Sequence, residues 1–129
     1  MTDAPQKTHR VLIVDDDDDV RTGLGRALGM QPHLEVETAA DSFEAGYKLG
    51  RFRPDVVVLD VVMPGMGGHH ICERIRSLDC SDPIRIVILT GYPGGGSNER
   101  SLMSGADLFL TKPQDVRTLR MHIEDLLGL

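Results

Sequence analysis

The stretch Pro54-Asp55-Val56-Val57-Val58-Leu59-Asp60 decides the architecture. Pro54 breaks the chain, because proline has no amide hydrogen and biases its predecessor away from helix. The run 55–59 is the most strand-like in the sequence. It has no polar alternation, so it predicts a strand covered on both faces, as in a parallel sheet between helices. Val11-Leu12-Ile13-Val14 and Ile84-Arg85-Ile86-Val87-Ile88-Leu89 predict two more buried strands. Leu34-Glu35-Val36-Glu37-Thr38 alternates and predicts a sheet edge, and Asp107 to Thr111 predicts a fifth strand.

Helical patterns fill the intervals. Val20, Leu24, Ala27 and Leu28 recur at i, i+4, i+7 and i+8, although Gly23, Gly25 and Gly29 weaken that helix. Asp41-Ser42-Phe43-Glu44 is a capping box opening a helix that ends near Gly50. Ile71, Cys72, Ile75 and Leu78 make one stripe of a helix over Gly68 to Leu78. Gly94-Gly95-Gly96 is a flexible stretch before a short helix over 98–103. Val116, Leu119, Ile123, Leu126 and Leu127 form the apolar face of the last helix. Five strand-then-helix units with short connections predict an α/β doubly wound sandwich around a five-stranded parallel sheet. No internal repeat, low-complexity tract or linker interrupts it.

Composition sets the outer limits. The 129 residues suffice for one domain, and 40% hydrophobic with 26% charged residues reads as globular. A net charge of −6 argues against nucleic-acid or membrane-surface binding by the chain as a whole. No apolar run approaches the ~20 residues of a membrane span. The polar start, Met1 to Arg10 with Pro5, is neither a signal nor a transit peptide, so the expected compartment is the cytoplasm. Cys72 and Cys80 fit no zinc or redox spacing and are expected to be reduced and structural.

In open parallel sheets, ligands bind beyond the carboxyl ends of the strands. The predicted strands end in Asp15-Asp16, Asp60, Thr90 and Thr111-Lys112-Pro113. Three carboxylates, a hydroxyl and an ammonium thus converge on one rim. Oxygen ligands of this kind suit Mg²⁺, and like charges so close are unfavourable without a cation. A phosphoryl group held by metal on one side and lysine on the other is the natural fit.

Four segments then carry a resemblance: Val11-Leu12-Ile13-Val14-Asp15-Asp16; 54–68, with Asp60 and Met63-Pro64-Gly65; Ile88-Leu89-Thr90-Gly91; and 105–113, ending Thr111-Lys112-Pro113. In order and spacing they resemble the receiver domain of bacterial two-component response regulators. The resemblance implies a flavodoxin-like (βα)5 fold over 10–127, after a polar extension over 1–9. It implies that Asp60 accepts a phosphoryl group from a phosphohistidine of a histidine kinase or phosphotransfer protein. Asp16, Asp60 and the Val62 carbonyl match Mg²⁺ ligands (Mn²⁺ being the alternative), with Asp15 often acting through water. Thr90, with Gly91 beside it, matches the switch hydroxyl, Lys112 the phosphoryl-pairing lysine and Phe109 the switch aromatic. Lys112-Pro113 corresponds to a peptide bond usually cis in the family. Val62 and Tyr92 border the path of the hydrolytic water, and neither orients water for attack, so a phosphorylated state lasting many minutes or longer is expected.

The implied activity is a switch rather than a turnover enzyme, with self-catalysed phosphoryl transfer and dephosphorylation only. Its implied partners are the kinase, a downstream effector protein or domain, and a second copy in a dimer that depends on phosphorylation. The chain departs from the family pattern at Gly67, where a helix-capping polar residue is usual, and at Gln114, where a phenylalanine is common.

Rival readings are a receiver-like interaction module that no longer uses phosphorylation, and a small phosphohydrolase suggested by Asp16-Asp17-Asp18-Asp19-Val20. Asp17 to Asp19 suit a helix amino terminus. An EF-hand loop starting at Asp15 fails at Val20 and Arg26, and Gly91 to Gly96 lacks the Gly-Lys-Ser/Thr of a P-loop. His69 and His70 are adjacent and point to different faces, which does not suit a metal pair. His9, His33 and His122 are scattered, and Met63 and Met66 read as loop packing.

Overall fold

The computed structural model describes residues 8–60, 68–78, 83–90, 105–112 and 115–129. Elements follow in the order β1 (His9–Val14), α1 (Asp18–Gly29), β2 (Leu34–Ala39), α2 (Ser42–Arg51), β3 (Val56–Asp60), α3 (Gly68–Ser77), β4 (Arg85–Thr90), β5 (Leu108–Thr111) and α4 (Val116–Leu126). The five strands are parallel and ordered β2-β1-β3-β4-β5. Strand order reverses between β1 and β3, which makes their carboxyl ends the switch point of the sheet.

Alternate residues of each strand feed opposite layers. Leu12, Val14, Val57, Leu59, Ile86 and Ile88 pack with Ala45 and Leu49 of α2, Phe52, and Ile71, Cys72 and Ile75 of α3. Val11, Ile13, Val56, Val58, Val87 and Leu89 pack with Leu24 and Leu28 of α1 and Leu119 and Ile123 of α4. β1, β3 and β4 are thus buried on both faces, as their apolar runs require, and β2 and β5 are the edges.

The helix ends follow local chemistry. Asp17 caps α1, its carboxylate accepting from the Asp19 and Val20 amides at 3.0 and 3.1 Å. Asp41 caps α2 by accepting from the Glu44 amide at 2.8 Å, and Glu44 accepts from the Ala40 amide at 2.7 Å, one residue before the usual partner. Past the end of α2, Arg53 takes a left-handed φ of 56°, a conformation that suits glycine better.

The helix expected from Val20 to Leu28 is present as α1. Gly25 lets it approach the sheet, since a Cβ there would lie 3.1 Å from Thr38 Cγ2. One expectation about it needs correction. Val20, expected on the apolar face, is exposed: it lies in the first turn of α1, and burial along this face begins only at Leu24. The helix expected over 98–103, the Gly94-Gly95-Gly96 stretch, Met63, Met66, Gly67, Cys80, Pro113 and Gln114 lie outside the described residues.

Candidate phosphoryl and metal site

The site is assembled by strand ends. β1 stops at Val14, and the Asp15 amide extends the ladder by donating to the Ala39 carbonyl at 3.1 Å. The Asp15 side chain turns back under the sheet rim, its Oδ1 accepting from the Asp17 amide at 3.0 Å. Asp16 points outward and is exposed. On the neighbouring strand Asp60 is the last residue of β3 and is 4% exposed, while Asp15 is 1% exposed. One carboxylate oxygen from each of Asp15, Asp16 and Asp60 lies within 4.8 Å of the others.

Lys112 follows β5 and reaches back past β4. Its Nζ donates to Asp60 Oδ2 at 2.7 Å and lies 3.6 Å from Asp15 Oδ2. Asp60 pairs in register with Leu89, which leaves Thr90 as the next residue along β4, itself in register with Thr111. The Thr90 backbone thus ends β4 beside the rim. The Thr90 side chain, and all of Val62, Gly91 and Tyr92, lie outside the described residues. Phe109 is on β5, half-buried against the layer that holds α2 and α3.

The electrostatics report a carboxylate excess. Burial, eased by the Asp17 amide and reinforced by the neighbouring Asp60 carboxylate, pushes the Asp15 carboxyl up to about 6. Burial works against the charge on Lys112, but its hydrogen bond to Asp60 and the charges of Asp60 and Asp15 outweigh this and raise its pKa. Asp15 Oδ2 is buried with no hydrogen-bond partner. One lysine cannot neutralise three carboxylates, and an orphaned buried oxygen is costly. This donor set fits a hard divalent cation coordinated by oxygen.

One participant was missed in the sequence. Arg21, on α1, donates to the Asp15 carbonyl at 2.8 Å and pairs with Asp18, so it clamps the turn that carries Asp15 and Asp16. The Asp18/Arg21 spacing of i, i+3 was the available signal. His33, read as carrying no signal, pairs with Glu124 of α4 at 2.6 Å, on the far side of the sheet from this rim. No helix among the described residues is long and apolar enough to cross a membrane. Cys72 is a buried free thiol whose pKa burial pushes up to about 11, which suits its structural reading.

Known proteins share this chain's sequence pattern and fold. The family model of the response regulator receiver domain matches residues 11–124. Transcriptional regulatory protein AfsQ1 of Streptomyces coelicolor is 42% identical over 118 residues, covering 91% of this chain and 50% of the relative. Response regulator MprA of Mycobacterium leprae is 39% identical, covering 92% of this chain and 50% of the relative. The chain therefore spans about half the length of these curated relatives. Among solved structures, chemotaxis protein CheY4 of Vibrio cholerae superposes with a TM-score of 0.82 at 31% identity, covering 92% of this chain and 98% of the other. A CheY-like receiver domain protein of Methanospirillum hungatei does so with a TM-score of 0.82 at 30% identity, covering 95% of each chain. The chain belongs to the response regulator receiver domain family of two-component systems, with its flavodoxin-like α/β fold.

Proposed function

We propose that this chain is a phosphorylation-driven signalling switch whose phosphoacceptor is Asp60. The observation that carries the reading is the Lys112 ammonium 2.7 Å from Asp60 Oδ2, beside Asp15 and Asp16 at the sheet's switch point. Bound Mg²⁺ (or Mn²⁺) would be held by Asp16, Asp60 and the Val62 carbonyl, with Asp15 through water, and would neutralise negative charge on the oxygens around phosphorus. An Asp60 carboxylate oxygen bonds to phosphorus as the phosphorus–nitrogen bond of a phosphohistidine breaks, and the imidazole leaves with the bonding pair. Lys112 then pairs with a phosphoryl oxygen, and the positioned charges do most of the catalytic work. The side chain is not regenerated on transfer, so the chain is a switch rather than a turnover enzyme.

The acyl phosphate carries roughly −1.5 to −2 charge in place of the single negative charge of the Asp60 carboxylate, and it sets that charge farther out at the rim. It recruits the Thr90 hydroxyl, with Gly91 beside it, and Phe109 turns inward. The face made by the 98–103 segment, β5 and α4 relays this state to an effector protein or domain. The equilibrium between the two forms pre-exists, and the phosphoryl group biases it. The partners in this reading are a histidine kinase or phosphotransfer protein and that effector, in the cytoplasm, with 10–127 as the receiver unit. The test is incubation with a small phosphodonor in Mg²⁺ or in chelator, followed by intact mass. One phosphoryl mass in Mg²⁺ and none in chelator supports the reading; no gain in either sinks it.

A further inference from the structure

α2 presents an unpartnered aromatic ridge. Phe43 is 89% exposed and Tyr47 is 60% exposed, one helical turn apart. These are two of only five aromatic residues in the chain. Burying aromatic rings is a main source of core stability, so an exposed pair on one stripe points to a contact outside the chain. The Arg51 guanidinium donates to the Tyr47 hydroxyl at 3.3 Å, laying that ring along the helix.

Gly46 and Gly50 continue the same side of α2, since i and i+4 share a face. A Cβ at either position would meet nothing within 4 Å. Glycine weakens a helix interior relative to alanine, and among the described residues nothing occupies the space above these two. A groove of about 160 Å³ adjoins the ridge, lined by Ser42, Gly46 and Leu49 of α2 and by His70, Ile71 and Arg74 of α3.

Charge selects the occupant. Asp41 and Glu44 lie at the amino end of α2, and Arg51 and Arg53 lie at its carboxyl end. A second α2 running antiparallel meets this gradient with the opposite one, whereas a parallel one sets like charge on like. The antiparallel register that sets Phe43 opposite Gly50 also sets Tyr47 opposite Gly46. It brings Asp41 between Arg51 and Arg53 of the other copy.

We propose that α2 is a self-association surface on which two copies of this chain pack antiparallel about a two-fold axis. Phe43 and Tyr47 of each copy seat over Gly50 and Gly46 of the other. Such an isologous contact closes as a dimer and cannot propagate. The contact rests on four rings of roughly 150–250 Å² each on a single pair of helices, which places it at the small end of specific interfaces. The dimer is therefore weak and concentration-dependent. It leaves β5 and α4 uncovered and does not depend on Asp60.

Sedimentation velocity of the full chain from about 10 μM to 1 mM tests this. The expected result is a mass rising from 14.2 kDa toward twice that value. Phe43→Ser and Gly50→Gln should each move the midpoint at least tenfold higher, while Asp60→Asn leaves it in place. Both substituted positions are exposed, and Gly50→Gln should raise the melting temperature, which separates lost association from lost folding. A parent that stays monomeric at 1 mM overturns the proposal, as does an unmoved midpoint in either variant. A midpoint that moves in Asp60→Asn overturns its independence from the phosphoacceptor.

Discussion

Asp15→Asn should stabilise the metal-free protein, although it alters a buried, hydrogen-bonded residue. In the folded chain the Asp15 carboxyl sits at about 6 against an ordinary 3.8. A carboxyl raised by folding binds its proton more tightly in the folded state. Its contribution to stability is therefore full below the ordinary value and falls as pH rises through the folded one. A shift of about two units corresponds to about 3 kcal/mol at 1.36 kcal/mol per unit. Asparagine keeps an Oδ1 for the Asp17 amide and carries no charge at any pH. Lys112 keeps its 2.7 Å bond to Asp60. In chelator the variant should match the parent near pH 4 and exceed it by up to about 3 kcal/mol above pH 7, or about 10 °C in melting midpoint at this length. Thermal melts from pH 4 to 8 are the assay. Adding Mg²⁺ should close the gap, since binding to the folded state stabilises the parent by mass action. A variant no more stable than the parent at pH 7.5 in chelator would refute the reasoning, because the carboxylate would then carry no net penalty.

Lys112→Met leaves two buried carboxylates without their ammonium. It should cost about 1–3 kcal/mol without metal, by denaturant titration at pH 7, and the parent should lose this stabilisation only as pH rises past the ordinary lysine value of 10.5. Arg53→Gly relieves a left-handed backbone and should raise stability by about 0.5–1 kcal/mol, read as a higher urea midpoint with unchanged slope. Val62→Asn supplies an amide that can orient water, and Tyr92→Ala opens the approach to phosphorus. We propose that these two residues set the lifetime, so at least one variant should lose its phosphoryl group faster than the parent once donor is removed; identical decay in all three would sink that idea.

Much of the fold was legible because burial on both faces leaves a plain mark. Val56 to Leu59 has no choice but a covered strand, and the alternation of Leu34 to Thr38 marks an edge. Val20 misled because helical periodicity does not say at which turn a helix's apolar face becomes covered. The site was half-legible. Strand ends bring Asp15, Asp16, Asp60 and Lys112 to one rim, but the 2.7 Å Lys112–Asp60 contact depends on how far β5 lies from β3. The i, i+3 spacing signals the Asp18–Arg21 pair, but not the bond from Arg21 to the Asp15 backbone carbonyl that holds the turn. His33 and Glu124 are far apart in sequence and meet only because α4 packs back across the sheet. The exposure of Phe43 was invisible for the opposite reason, since a capping-box position next to an aromatic reads equally well as core or surface.

The central claim is that Asp60 is the group that takes the phosphoryl. The direct measurement is intact mass after a small phosphodonor and Mg²⁺, on the parent and on Asp60→Asn, Asp15→Asn and Asp16→Asn side by side. The account predicts one added phosphoryl group on the parent, none on Asp60→Asn, and a reduced gain on Asp16→Asn that excess Mg²⁺ partly restores. A phosphoryl group on Asp60→Asn would contradict it, and loss of the gain on Asp15→Asn or Asp16→Asn alone would move the acceptor to that residue.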